Sequence, residues 1–298
     1  MKIEYSITWK CVILSATKDL TRIRFFTAFR MTHLRLFFVA LLFPFAHFAS
    51  FAVNWLNCHA MSEDDYNHAP GEDQDELDAV EIRDNGEPLV DFLALCPRLA
   101  LAPRHPVFEF PRVHLLRETV ARKLCEAAHN LPPHLTFHIV EGYRPIEVQR
   151  AMFDHATEEA RRRFPSWSEE KLRLEAGRYS APPDAITPPP HTTGAAFDIT
   201  IVDENDAELD FISPYEMLDM RGAALKARGL SETAQQNRAL LERVLEMQGL
   251  TNYVDEWWHW SYGDNGWALR VQSPHAIYDS IELPLDAHWF GDMSKLPR

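Results

Sequence analysis

Two short segments stand out in this 298-residue chain for the reactive side chains they place close together. They are His191-Thr-Thr-Gly-Ala-Ala-Phe-Asp198 and Glu256-Trp-Trp-His259. Together they supply two imidazoles and two carboxylates. A hydrolytic zinc centre needs three protein ligands, an open fourth position and a carboxylate to manage the proton of a water. His191, Asp198 and His259 have the right chemistry for the ligands, and Glu256 for the base. One such site implies one Zn2+ per chain. A third segment, Glu141-Gly-Tyr-Arg-Pro145, holds Arg144 between Gly142 and Pro145, where a guanidinium is well placed for a carboxylate or a developing oxyanion.

Taken singly, each residue has an ordinary explanation. His191 could be a loop histidine, His259 a core histidine in an aromatic strand, and Arg144 a surface partner of Glu147. The spacing also sets a geometric condition. Glu256 and His259 are three apart, so a regular strand turns them to opposite faces. Both reach one site only if Glu256 lies at the start of the strand or beside a bulge. The helical His-Glu-x-x-His arrangement is absent, and so is the His-x-Asp spacing of non-haem iron oxygenases.

The elements that must position these groups are legible in outline. Leu115 to Ala128 has apolar residues at helical spacing. Leu135 to Val140 alternates as a strand, and Gly142 with Pro145 makes a turn. Helices are expected over 146–163 and 168–178, the second capped by Ser168. Residues 181–190, APPDAITPPP, read as a stiff loop into His191. Strands are expected over 195–202 and 257–262, and a helix over 231–248 ends at Gly249. The pattern predicts an α+β fold. Its sheet is small and mainly antiparallel, with helices packed on one side and the zinc site at the sheet.

Lys+Arg number 30 and Asp+Glu 44, a net charge of −14. That balance argues against nucleic acid as a partner. Residues 1–60 depart from it, with seven Lys/Arg against two Asp/Glu. They form a separate, non-domain segment. Its run Leu36 to Val53 is free of charge. Three readings compete: a true start at Met61, a signal peptide over 31–52 ending in Ser50-Phe51-Ala52, or a retained anchor over 36–53. The start at Met61 is preferred and makes the chain cytoplasmic. A signal peptide makes it periplasmic or exported, and only an anchor gives membrane contact. Residues 61–84 are acidic and read as a disordered leader, leaving 85–298 as the domain. Cys11, Cys58, Cys96 and Cys125 stand far apart in sequence, and a chain of this size needs no disulfide scaffold, so none is expected.

The segments EGYRP, PPPHTTGAAFDITIVD and YVDEWWHWSYGD, in that order, resemble the D-alanyl-D-alanine dipeptidases of the vancomycin-resistance type, within the zinc D,D-peptidase and hedgehog-like superfamily. The resemblance covers about residues 80–270. It implies that His191, Asp198 and His259 bind zinc, that Glu256 is the catalytic base, and that Arg144 stabilises the transition state. It implies hydrolysis of a small D,D-dipeptide, D-Ala-D-Ala, to two D-alanines. The family's Ser-x-His-x-x-Gly-x-Ala-x-Asp begins here with Pro189. Its Asp-Met-Gly-Thr-x-Phe-Asp segment appears as Asp210-Phe-Ile-Ser-Pro-Tyr-Glu216, which makes Ser213 and Glu216 the candidates for substrate contact. The same fold admits a D,D-carboxypeptidase or peptidoglycan endopeptidase. A non-catalytic zinc module is the alternative from another class, but it would need neither Glu256 nor Arg144.

Overall fold

The computed structural model describes residues 72–103, 112–216 and 219–283. The expectations about residues 1–60, about Cys11 and Cys58, and about the first part of the acidic leader lie outside the described residues. Among the described residues no helix is long and apolar enough to cross a membrane.

The order of elements is α1 (Gln74–Asp78), β1 (Leu89–Asp91), α2 (Phe92–Leu95), β2 (Leu99–Leu101), β3 (Leu115–Arg117), α3 (Glu118–His129), β4 (Thr136–Glu141), α4 (Ile146–Arg163), α5 (Glu169–Gly177), β5 (Ala196–Val202), α6 (Glu232–Glu246), β6 (Thr251–Asn252), β7 (His259–Ser261) and α7 (Asn265–Arg270). Five strands form the main sheet in the order β2-β4-β5-β7-β6, and β1 pairs with β3 in a separate ribbon. The fold is α+β, as expected. The main sheet is antiparallel except at one edge, where β2 lies parallel to β4.

Strand alternation separates core from site. On β5, Phe197, Ile199 and Ile201 are fully buried and join Phe137 and Ile139 of β4 in the main core. Helix α3 adds Val120, Ala121, Leu124, Ala127 and Ala128, and α6 adds Leu241, Val244 and Leu245. Those positions recur at helical spacing, so one stripe of each helix is apolar. The intervening residues of β5, with Asp198 at their centre, face away from this core. Ser168 caps α5 through its side chain, as the sequence suggests, and Ser231 does the same for α6.

Four expectations are corrected. Residues 115–117 are a strand, and the helix starts only at Glu118, because Leu115 and Leu116 pair with Asp91 and Val90. The leader is ordered from Glu72 onward. Asp73 caps α1, Glu72 pairs with Arg270, and the Asn265 side chain donates to the carbonyls of Leu77 and Val80. The aromatic strand begins at His259, not Trp257, with turns before it. Finally, Cys96 and Cys125 form a disulfide with their Cα atoms 5.7 Å apart. A separation of 29 residues hides a contact that the packing of α2 against α3 creates.

The β4–β5 ladder is irregular where it matters. Ile139 pairs with Ile199, but Glu141 pairs with Asp198, so Val140 is an extra residue on β4. A bulge of this kind leaves a backbone group without its ladder partner and re-aims the next side chain. Here the Arg112 guanidinium donates to the Val140 carbonyl at 2.8 Å and to that of Ala102 at 2.9 Å.

Candidate active site

His191 lies on a single 3-10 turn, Pro190–Thr193, that closes the proline-rich loop. The hydroxyls of Thr192 and Thr193 each donate, at 2.7 Å, to the carbonyls of Pro189 and Pro190. Gly194 ends the turn at φ +71, and a Cβ there would lie 2.3 Å from the Leu89 side chain. Only glycine meets both demands cheaply. The buried Arg117 side chain holds the turn from outside by donating to the Thr193 carbonyl at 2.8 Å. The imidazole is oriented by its Nδ1, 2.9 Å from the Gly142 carbonyl. A carbonyl only accepts, so Nδ1 carries a proton, and in the neutral ring it is Nε2 that has the lone pair for a metal.

Asp198 and His259 face each other across the β5–β7 ladder. Asp198 Oδ1 is 3.0 Å from His259 Nδ1 and 3.4 Å from His191 Nε2, and the two ring nitrogens are 3.2 Å apart. The donor atoms of all three residues lie within 4.8 Å of one another. Two imidazoles and a carboxylate converging on one point fit a three-ligand zinc centre. The oriented tautomer of His191 fits it too, since a ligating imidazole usually gives its other N–H to a carbonyl or carboxylate.

Charge inside the cluster follows from these contacts. Burial by itself would raise the Asp198 carboxyl, but the two imidazoles, His191 foremost, hold it well below the usual carboxylate range. Burial pushes His191 down, yet Asp198 and Glu141 outweigh it and raise its pKa. Glu256 is half-buried among these groups. Desolvation, with Asp198 adding to it, pushes its carboxyl up to about 8, against the pull of His191 and Arg144. A cation at the three donors would favour the ionised form.

Glu256 satisfies the geometric condition set by the sequence. It stands in the turn before β7, with its N–H donating to the Tyr253 carbonyl and its carbonyl accepting from the His259 N–H. The Asn252 side chain pins the turn by donating to the carbonyls of both Glu256 and His259, at 2.8 and 2.9 Å. Strand parity therefore no longer separates the two side chains.

Arg144 is buried and does not pair with Glu147. Its Nε and Nη2 donate to the two oxygens of Glu141, the second at 2.7 Å, and its Nη1 donates to Gln149 Oε1 at 2.5 Å. Gln149 in turn donates to Ser180 and to the Ala181 carbonyl, at the base of the proline-rich loop. A guanidinium has five N–H groups, so two remain for a ligand. Burial would lower the Arg144 pKa, but Glu141 more than offsets it.

The structure thus brings together His191, Asp198, His259, Glu256 and Arg144. Glu141, Gln149, Asn252 and Arg112 were missed by sequence reasoning. Only Glu141 left a trace there, as the residue beside Gly142. Ser213 and Glu216 sit on another loop. The Ser213 N–H donates to Asp210 Oδ1 and its carbonyl accepts from Ser231, while Glu216 is exposed and its carbonyl accepts from Asp219.

Comparison with known proteins places the chain in a family. The Peptidase_M15 family, described as D-ala-D-ala dipeptidase, matches residues 109–280. A D-alanyl-D-alanine dipeptidase of Synechocystis is 29% identical over 231 residues, covering 68% of this chain and 93% of that protein. One of Enterococcus faecalis is 31% identical over 75 residues, covering 25% of this chain and 37% of that protein. Among solved structures, a mutant of the vancomycin resistance D,D-pentapeptidase VanY in complex with Zn(II) shares 15% identity at a TM-score of 0.33, covering 60% of this chain and 90% of that one. VanYB in complex with D-alanine-D-alanine also shares 15%, at a TM-score of 0.34, covering 59% and 92%.

Proposed function

Because the chain belongs to the D-ala-D-ala dipeptidase family of peptidases, we propose that it is a zinc dipeptidase that hydrolyses D-alanyl-D-alanine to two D-alanines, with one zinc ion held by His191, Asp198 and His259. The observation that carries this reading is the convergence of those three donors beside Glu256 and Arg144.

A zinc ion bound there supplies Lewis acidity, polarising the scissile carbonyl and acidifying water. The chain's own groups do the rest. Glu256 takes the proton from the attacking water and returns it to the leaving amine as the C–N bond breaks. Arg144, fixed by Glu141 and Gln149, turns its two remaining N–H groups toward the charge that develops on the carbonyl oxygen. Trp257 and Trp258 pack at right angles beside the Glu256 turn, their ring centroids 5.6 Å apart. Ser213 and Glu216 are left without an assigned role.

The test is release of D-alanine from D-Ala-D-Ala, with L-Ala-L-Ala and a peptide ending in D-Ala-D-Ala as comparison substrates. Turnover of the free dipeptide in preference to both is expected. Preference for the longer peptide would make the enzyme a D,D-carboxypeptidase instead.

A further inference from the structure

Cys96 caps α2, fully buried, and Cys125 lies one turn from the end of α3. Their Cα separation of 5.7 Å falls within the range a disulfide requires. After residue 60 these are the two cysteines of the chain, and Cys58 is the third in a chain that begins after Ala52. The loop it closes contains Arg112, which holds the bulge beside Glu141, and Arg117, which holds the His191 turn. The bond therefore braces the segment that braces the site.

A disulfide of this kind persists outside the cytoplasm and is rare inside it. The upstream sequence supplies a route. Met31-Thr-His-Leu-Arg35 is a basic start, Leu36 to Val53 is free of charge, and Ser50-Phe51-Ala52 is a small-x-small site. We propose that the Cys96–Cys125 disulfide is made in an oxidising compartment, and that residues 31–52 are the signal peptide that takes the chain there. In the step itself two thiols lose two protons and two electrons, which pass to the disulfide of a thiol–disulfide oxidoreductase and leave it as a dithiol. The export reading displaces the start at Met61 preferred on sequence grounds. It is independent of the peptidase reading, and its test needs no activity.

The full chain is expressed in a bacterial host and cells are quenched with an alkylating reagent before lysis. The expected protein lies outside the cytoplasm, begins just after Ala52, and yields a Cys96–Cys125 cross-linked peptide without reduction. Its melting temperature falls on adding reductant. The melting temperature of a Cys96→Ser/Cys125→Ser variant is indifferent to reductant, and the cross-link map holds should that variant fail to fold. A cytoplasmic protein beginning at Met61 overturns the proposal, as does alkylation of both Cys96 and Cys125. So does a second equivalent of zinc in protein purified without alkylation or chelator, because Cys96, Cys125 and His129 also have donor atoms within 4.8 Å of one another and as thiolates would then be a metal site.

Discussion

Glu141 stands opposite Asp198 in the β4–β5 ladder, at a place where an unbroken register would put Val140. The bulge turns a carboxylate toward the site, and that carboxylate holds both the Nε and the Nη2 of Arg144. Replacing Glu141 with Gln keeps the shape and removes the charge. Breaking a buried ion pair from one side costs about 3–5 kcal/mol, and an amide that still accepts one hydrogen bond should cost less. Urea denaturation of the Glu141→Gln protein should show that loss, and kcat should fall with it. Unchanged stability and turnover would show that Arg144 needs no carboxylate.

Glu256→Gln separates base from ligands. The amide keeps the turn, because Asn252 holds the backbone carbonyl and not the side chain. Zinc content should stay at wild-type level while kcat falls about 10²–10⁴-fold, the usual cost of a positioned acid/base. A Glu256→Gln enzyme with its zinc and near-normal kcat would end this assignment.

Arg144→Lys keeps one charge and loses the planar fork that Glu141 grips in two places. Loss of an oxyanion donor typically costs about 10²–10³-fold in kcat. The drop should appear in kcat more than in KM, measured on D-Ala-D-Ala. A change confined to KM would make Arg144 a substrate-binding residue.

Zinc affinity should rise with pH. The His191 pKa is raised in the metal-free site above its ordinary 6.5, the Asp198 and Glu141 charges outweighing burial. Zinc binds the deprotonated ring, so it must displace that proton. The same shift makes the metal-free protein's His191 contribution fully present below pH 6.5 and lost as pH rises through the raised value. Competition with a chelator across that range measures the affinity, and a flat profile would exclude a protonated His191.

Gly194→Ala tests the His191 turn. A left-handed φ and a Cβ 2.3 Å from Leu89 should cost about 1–3 kcal/mol. The loss should be accompanied by weaker zinc retention. Full zinc occupancy in a destabilised protein would mean the ligand keeps its place by other means.

How much of this was legible in the sequence differs from residue to residue. His191, Asp198, Glu256 and His259 stand out because their chemistry lies in short segments, where spacing along the chain is nearly spacing in space. The helix over 169–177 and the end of the helix over 232–246 were legible for a similar reason, since the cap of Ser168 and the stop at Gly249 are local signals. The sequence also determined that Glu256 could not share a regular strand with His259. Tertiary structure decided how that condition is met, through a turn clamped by Asn252. It alone decided that Arg144 answers to Glu141 and not to Glu147, because a single bulge changes which side chain faces Asp198. It alone brought Cys96 to Cys125 and turned Leu115–Arg117 into a strand, since pairing with β1 there outweighs helical periodicity. Contacts of this kind depend on register and on packing between distant elements, and periodicity along one chain carries no record of either.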